Sequence, residues 1–104
     1  MKRVVFLLDA QDSLDDITRY TETNWPDSRL AAGSPPAYVV SLIEACNSIP
    51  RRVLLFSDSS RITKYGIVSY FRCGRHFIFY RETEAAFEVI QILHERMSFS
   101  AYLD

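Results

Sequence analysis

His76 and His94 are the two histidines of this 104-residue chain. Imidazole is the side chain whose ordinary pKa lets it gain and lose a proton near neutral pH. Brought together, the two rings would form an acid-base pair able to move a proton on and off a reacting oxygen. Used instead for ring hydrogen bonds at strand ends, they would be structural. The surrounding sequence is basic: Ser59 to Arg81 contains Arg61, Lys64, Arg72, Arg75 and Arg81 and no acidic residue. By contrast, Asp9 to Asp27 carries Asp9, Asp12, Asp15, Asp16, Glu22 and Asp27 against the single base Arg19. Any one arginine is by default a solvated strand end. As a group these cations suit an acidic partner segment.

Other chemistries find less support. Cys46 and Cys73 match neither a CxxC redox pair nor paired zinc ligands, and no HxxxH spacing occurs, so we expect no metal and no cofactor. Free thiols fit a reducing cytoplasm. The formal net charge of -1 argues against a protein that lives by holding many phosphates. Lys2 and Arg3 precede the apolar run Val4 to Leu8, which stops at Asp9, too short for a signal segment or a membrane span. A cytoplasmic protein without a membrane partner is expected.

The elements that must position these residues follow from periodicity. An apolar fraction of 48%, with seven Phe, six Tyr and one Trp, can supply one hydrophobic core, so residues 1–104 read as a single domain. Val4 to Leu8 predicts a first strand. Asp9 reads as the N-cap of a helix with Asp12 at its third position; Leu14, Ile17, Tyr20 or Thr21, and Trp25 form its apolar face, and Pro26 closes it. Gly33, Ser34, Pro35 and Pro36 break the chain. Ser34 as cap and Pro35 in the first turn start a second helix. It runs from about Pro35 to Asn47, before Pro50, with Tyr38 or Val39, Leu42, Ile43, Cys46 and Ile49 recurring at helical intervals. Two helices in sequence suggest a hairpin.

After Pro50 the pattern becomes β-rich: Val53 to Phe56, Tyr65 to Phe71, His76 to Arg81 and Phe87 to Leu93. Cys73-Gly74-Arg75 and Glu82-Thr83-Glu84 read as tight turns between antiparallel strands. The expected class is α+β: an N-terminal strand and a two-helix hairpin packed on one face of an antiparallel sheet. Phe77, Phe79, Phe87, Val89, Ile92 and Leu93 should fill the layer between sheet and helices. The tail from Arg96 to Leu103 is too short for an independent helix and must dock on the body or on a partner.

Read as a unit, Gly74-Arg75-His76-Phe77-Ile78-Phe79-Tyr80-Arg81, then Glu88 to His94, then Arg96-Met97, resembles the ParE family of the ParE/RelE toxin superfamily. There a Gly-x-His-h-h-h-Tyr-Arg strand precedes an Ile-Leu-His-x-x-Met end, so Gly74, His76, Tyr80, His94 and Met97 are the motif positions. Ala10, Leu14, Ile17 and Tyr20, followed by Trp25, are similar to the family's first helix, with Ser13 where an Asp is usual. The resemblance covers about residues 4–25 and 64–103. Between them, Trp25-Pro26 and the Gly33 to Pro36 interruption depart from the family's Trp-Gly run into a long second helix. Val53 to Ser60 departs from its usual loop.

The resemblance implies a RelE/ParE-like fold and the toxin of a type II toxin-antitoxin, plasmid-stabilising pair. Such a toxin binds and inhibits DNA gyrase without catalysis, has no direct sequence-specific nucleic-acid binding of its own, and is neutralised by a ParD-like antitoxin. Arg72, Arg75, Arg81 and Arg96 are the antitoxin-binding candidates. The histidines then read as structural, since the ParE-like family carries them without nuclease activity. The alternative is a RelE-like, ribosome-dependent mRNA interferase. With Tyr80 aligned to the RelE strand, that site's lysines fall at Val68 and Tyr70 and its sheet arginine at Phe77, which cannot do the chemistry; Arg96 and Tyr102 occupy the two remaining positions. A third reading is a degenerate module that binds antitoxin but is not toxic.

Overall fold

The computed structural model describes residues 2–24 and 36–104, and of 22–24 the backbone alone. In chain order the elements are β1 (Arg3–Phe6), α1 (Leu8–Asn24), α2 (Ala37–Asn47), α3 (Ile49–Leu55), β2 (Ser59–Thr63), β3 (Gly66–Cys73), β4 (His76–Glu82), β5 (Ala86–His94) and α4 (Phe99–Leu103). The strands form one five-stranded sheet in the order β1-β5-β4-β3-β2. β2 to β5 are joined by short turns and pair antiparallel, as tight connections require. β1 pairs parallel with β5, a geometry that demands a long crossover; the helices and three hairpin strands between them provide it. The architecture is α+β, a mostly antiparallel sheet with helices.

Side chains alternate across a strand, and here both faces of the sheet are apolar. Phe71, Ile78, Tyr80, Phe87, Val89 and Ile92 pack with Ala10, Leu42, Cys46 and Ile49 beneath α1, α2 and α3. Val68, Phe79, Ile90 and Leu93 turn to the opposite face, where Leu103 is buried and Phe99, Phe77, Tyr70 and Tyr65 pack around them. The single layer expected from Phe77 to Leu93 is thus two layers. Phe87, Val89 and Ile92 serve the first; Phe77, Phe79 and Leu93 serve the second. The docked tail makes the second layer possible: α4 sets Phe99 edge-on to Phe77 and Phe79, at 5.3 and 5.1 Å between ring centroids. It is tied to the β2–β3 turn by the Lys64 N–H donating to the Leu103 carbonyl at 2.7 Å.

Three local expectations are corrected. Helix α1 takes its first bond from Gln11 N–H to the Leu7 carbonyl at 3.0 Å, so Asp9 lies in the first turn rather than at the cap. Its carboxylate accepts from the Tyr65 hydroxyl at 2.9 Å and still faces the positive end of the helix dipole. The second helix begins at Ala37 with Pro36 before it; the expected roles of Trp25, Pro26, Gly33, Ser34 and Pro35 lie outside the described residues. Val53 to Phe56, expected as a strand, is helical through Leu55. The Ser48 carbonyl accepts from Arg51 and Arg52 N–H at 3.0 and 2.9 Å, and Pro50 sits in the first turn, where its missing N–H costs nothing. The first strand after the helices is instead the polar segment Ser59–Thr63, at the sheet edge. Among the described residues, no helix is long and apolar enough to cross a membrane.

Candidate functional site

One end of the sheet gathers most of the residues singled out by their chemistry. His76 opens β4 and His94 closes β5, and the two are directly paired across the strands. Their rings meet edge to face at 5.1 Å. The β3–β4 turn brings Gly74 and Arg75 to the same end, with Gly74 at φ 62, a left-handed conformation that glycine adopts without steric cost. The Glu95 N–H donates to the Arg75 carbonyl at 2.9 Å, which places the segment after β5 against this turn.

Tyr38 of α2 completes the arrangement. The Arg75 N–H donates to the Tyr38 hydroxyl oxygen at 3.0 Å, and that hydroxyl lies 2.6 Å from His76 Nδ1. The hydroxyl and Nδ1 share one hydrogen bond, donated by Tyr38 or by His76 according to the imidazole tautomer. A side chain at position 74 would place its Cβ 2.8 Å from both Cε1 and the hydroxyl of Tyr38. Gly74 therefore has two jobs, turning the chain and admitting the tyrosine. Burial lowers the His76 pKa to about 4, with His94 adding to the depression and Glu95 partly offsetting it. Burial raises the Tyr38 pKa. Both groups are neutral near pH 7, and each already holds the other.

The cations divide by what they are bound to. Arg72 donates from Nε to the Gly74 carbonyl at 2.9 Å, pairs with Glu95 and lies over the Phe77 ring; it braces the turn. Arg75 and Arg96 are exposed, and among the described residues neither guanidinium is in an ion pair. The Arg96 N–H donates to His94 Nδ1 at 3.1 Å, which holds that ring in place. Met97 is partly exposed and closes the turn with its N–H on the His94 carbonyl at 2.9 Å. Arg81 lies at the other end of β4, where it donates to Glu88 at 2.7 Å and to the Tyr65 carbonyl at 2.8 Å. The structure thus groups Arg72, Arg75 and Arg96 and leaves Arg81 apart.

Tyr80, the remaining motif residue, belongs to a second polar cluster that the sequence does not announce. Its hydroxyl donates to Asp58 at 2.7 Å. Asp58 also receives Arg52 in a two-pronged contact, from Nε at 2.9 Å and from Nη2 at 2.8 Å. The Arg52 guanidinium lies 4.0 Å from the centre of the Phe71 ring. Burial, then the Asp58 contact, pushes the Tyr80 pKa up. This cluster clamps α3 and the start of β2 to the sheet.

The RelE-like positions are apolar ground. Val68 is fully buried and Tyr70 and Phe77 pack around it on the α4 face. Arg96 and the partly exposed Tyr102 make no hydrogen bond, ion pair or ring contact with each other among the described residues. Cys46 is buried in the helix-side core, and that burial pushes its thiol up to about 12. No group of three or more His, Cys, Asp or Glu side chains converges on a common point among the described residues. What the sheet end offers is a neutral, mutually satisfied Tyr38–His76 pair beside two exposed guanidinium groups that have no ion pair among the described residues, which suits binding of carboxylates. Tyr38 could not have been found from the sequence, because its partners lie 37 and 38 residues away. No protein-family model matches this sequence, and no curated protein matches it.

Proposed function

We infer that the chain is the toxin of a type II toxin-antitoxin pair of the ParE kind, with a RelE/ParE-like fold. In this reading it acts by binding DNA gyrase and is held inactive by a ParD-like antitoxin. The observation that carries the reading is what the resembling residues do. Gly74, His76 and His94 build one latch at the sheet end, Tyr80 builds the α3 clamp, and Met97 closes the turn after β5. A pattern spread over β4, β5 and the tail serves one connected framework. The exposed Arg75 and Arg96, with Arg72 beside them, are the groups best placed to take antitoxin carboxylates; Arg81 already holds Glu88.

A binding inhibitor is favoured over an mRNA interferase by the same geometry. General acid-base catalysis needs a group with an open position toward the proton it moves, and His76 is buried with its Nδ1 already bonded to Tyr38. The test is induction of the chain in bacteria, with plasmid supercoiling and reporter mRNA followed together. Loss of supercoiling with intact mRNA supports the proposal; early mRNA cleavage supports the interferase. Unimpaired growth supports the degenerate module.

A further inference from the structure

We propose that His94 is a pH-sensitive pin at the cationic end of the sheet: neutral, it anchors the backbone of Arg96, and protonated, it releases it. This holds whether or not the chain is a toxin. The Arg96 backbone N–H lies 3.1 Å from His94 Nδ1, and a backbone N–H can only donate. Nδ1 must therefore accept, which places the proton of the neutral ring on Nε2. An imidazolium carries a proton on both nitrogens and has no acceptor left. Protonation of His94 thus turns the acceptor into a second donor aimed at the Arg96 N–H, and the hydrogen bond is lost.

Of the two rings at this end, His94 is the one placed to take the proton. It is half-buried, whereas His76 is buried and has its Nδ1 bonded to the Tyr38 hydroxyl of α2. The rings meet at 5.1 Å, close enough that a charge on one disfavours a charge on the other. Around them, Cys73 of β3 pairs with His76 across the strands, and Arg75 stands on the β3–β4 turn. After β5 come Glu95 and Arg96. Among the described residues Glu95 is the acid at this end, and Arg72 of β3 already holds it.

What the proton releases is local. The Met97 N–H donates to the His94 carbonyl and the Glu95 N–H to the Arg75 carbonyl, both at 2.9 Å, and neither bond involves the imidazole. The pairing of β4 with β5 and the β3–β4 turn are therefore kept. Arg96 is exposed and its guanidinium is in no ion pair among the described residues, so the bond to His94 is the polar contact that steadies it. Acid loosens Arg96 while Arg75 stays where it is.

The experiment is nuclear magnetic resonance of the isotope-labelled full chain from about pH 8 to about pH 5, the range in which an imidazole changes charge, beside His94→Asn. Asparagine carries its side-chain oxygen where Nδ1 sits and does not titrate. At the alkaline end, the imidazole nitrogen shifts of His94 should show its proton on Nε2. As the ring titrates, solvent exchange of the Arg96 amide, relative to an unstructured peptide at the same pH, should speed up by roughly three- to tenfold, as for loss of one hydrogen bond. Its midpoint should match that of the ring, and the amides of Glu95 and Met97 should not follow. In His94→Asn the Arg96 amide should keep its protection at every pH. A neutral His94 protonated on Nδ1 would overturn the proposal, as would Arg96 protection that ignores the titration of the ring or that falls equally in His94→Asn. Should the variant fail to fold, the ring tautomer and the Arg96 amide of the parent decide between these outcomes.

Discussion

Tyr38 sits with its hydroxyl between the Arg75 N–H and His76 Nδ1, so the tip of a normally mobile ring is held at both sides. Gly74→Ala should therefore cost about 2 kcal/mol, part from the left-handed backbone and part from the contact with Tyr38. In a Tyr38→Ala background the contact disappears and the cost should fall to about 1 kcal/mol, the backbone share. Urea unfolding of the four proteins measures this, and equal costs in both backgrounds would show that Tyr38 is not what position 74 accommodates. His76 carries a pH dependence. Its pKa is lowered from 6.5 to about 4, so between those values the unfolded chain binds more protons than the folded one. Its neutral burial carries no protonation penalty above pH 6.5, and stability falls as pH drops toward 4, by at most about 3 kcal/mol. The unfolding free energy of His76→Gln, compared with the parent between pH 7 and pH 4, should show a shallower fall. Parallel curves would mean that His76 does not carry the effect.

Among the elements, α3 depends on a single buried carboxylate. Asp58, with 6% of its side chain exposed, holds Arg52 of that helix and receives the Tyr80 hydroxyl. Asp58→Ala would leave a largely desolvated guanidinium without its partner, at a cost of about 3 kcal/mol. Amides of α3 should lose exchange protection in that variant before those of β4 do; equal loss in both would argue against a local clamp. This element also shows where sequence patterning stopped. The strands β3, β4 and β5, the turn at Gly74 and the helical face of Leu14 and Ile17 were legible because side-chain periodicity follows burial, whereas Tyr20, offered for that face, is 59% exposed. Val53 to Phe56 was misread because an apolar run implies burial, whereas Leu54, Leu55 and Phe56 are exposed. Their helix is set by the Ser48 carbonyl and the Arg52 contact instead. Ser59–Thr63 was missed for the converse reason, since its polar composition hides a strand defined by backbone pairing to β3. At the site, His76, His94 and Gly74 stood out by type, while Tyr38, Arg52 and Asp58 gained their roles only from partners elsewhere in the fold.

For the whole molecule, two apolar layers flank one sheet and leave two distinct surfaces: the cationic end around Arg75 and Arg96, and the apolar β2 edge. The proposed toxin would use the first toward its antitoxin. That use involves no bond-making step, so the proposed activity is stoichiometric binding. The most direct measurement is purified chain titrated into purified DNA gyrase supercoiling a relaxed plasmid, with intact plasmid and RNA as controls. For a toxin of this kind, supercoiling should fall as the chain approaches the concentration of gyrase, nucleic acid should stay uncut by the chain alone, and a ParD-like antitoxin should restore the activity. Undiminished supercoiling at a large molar excess of folded chain would contradict it.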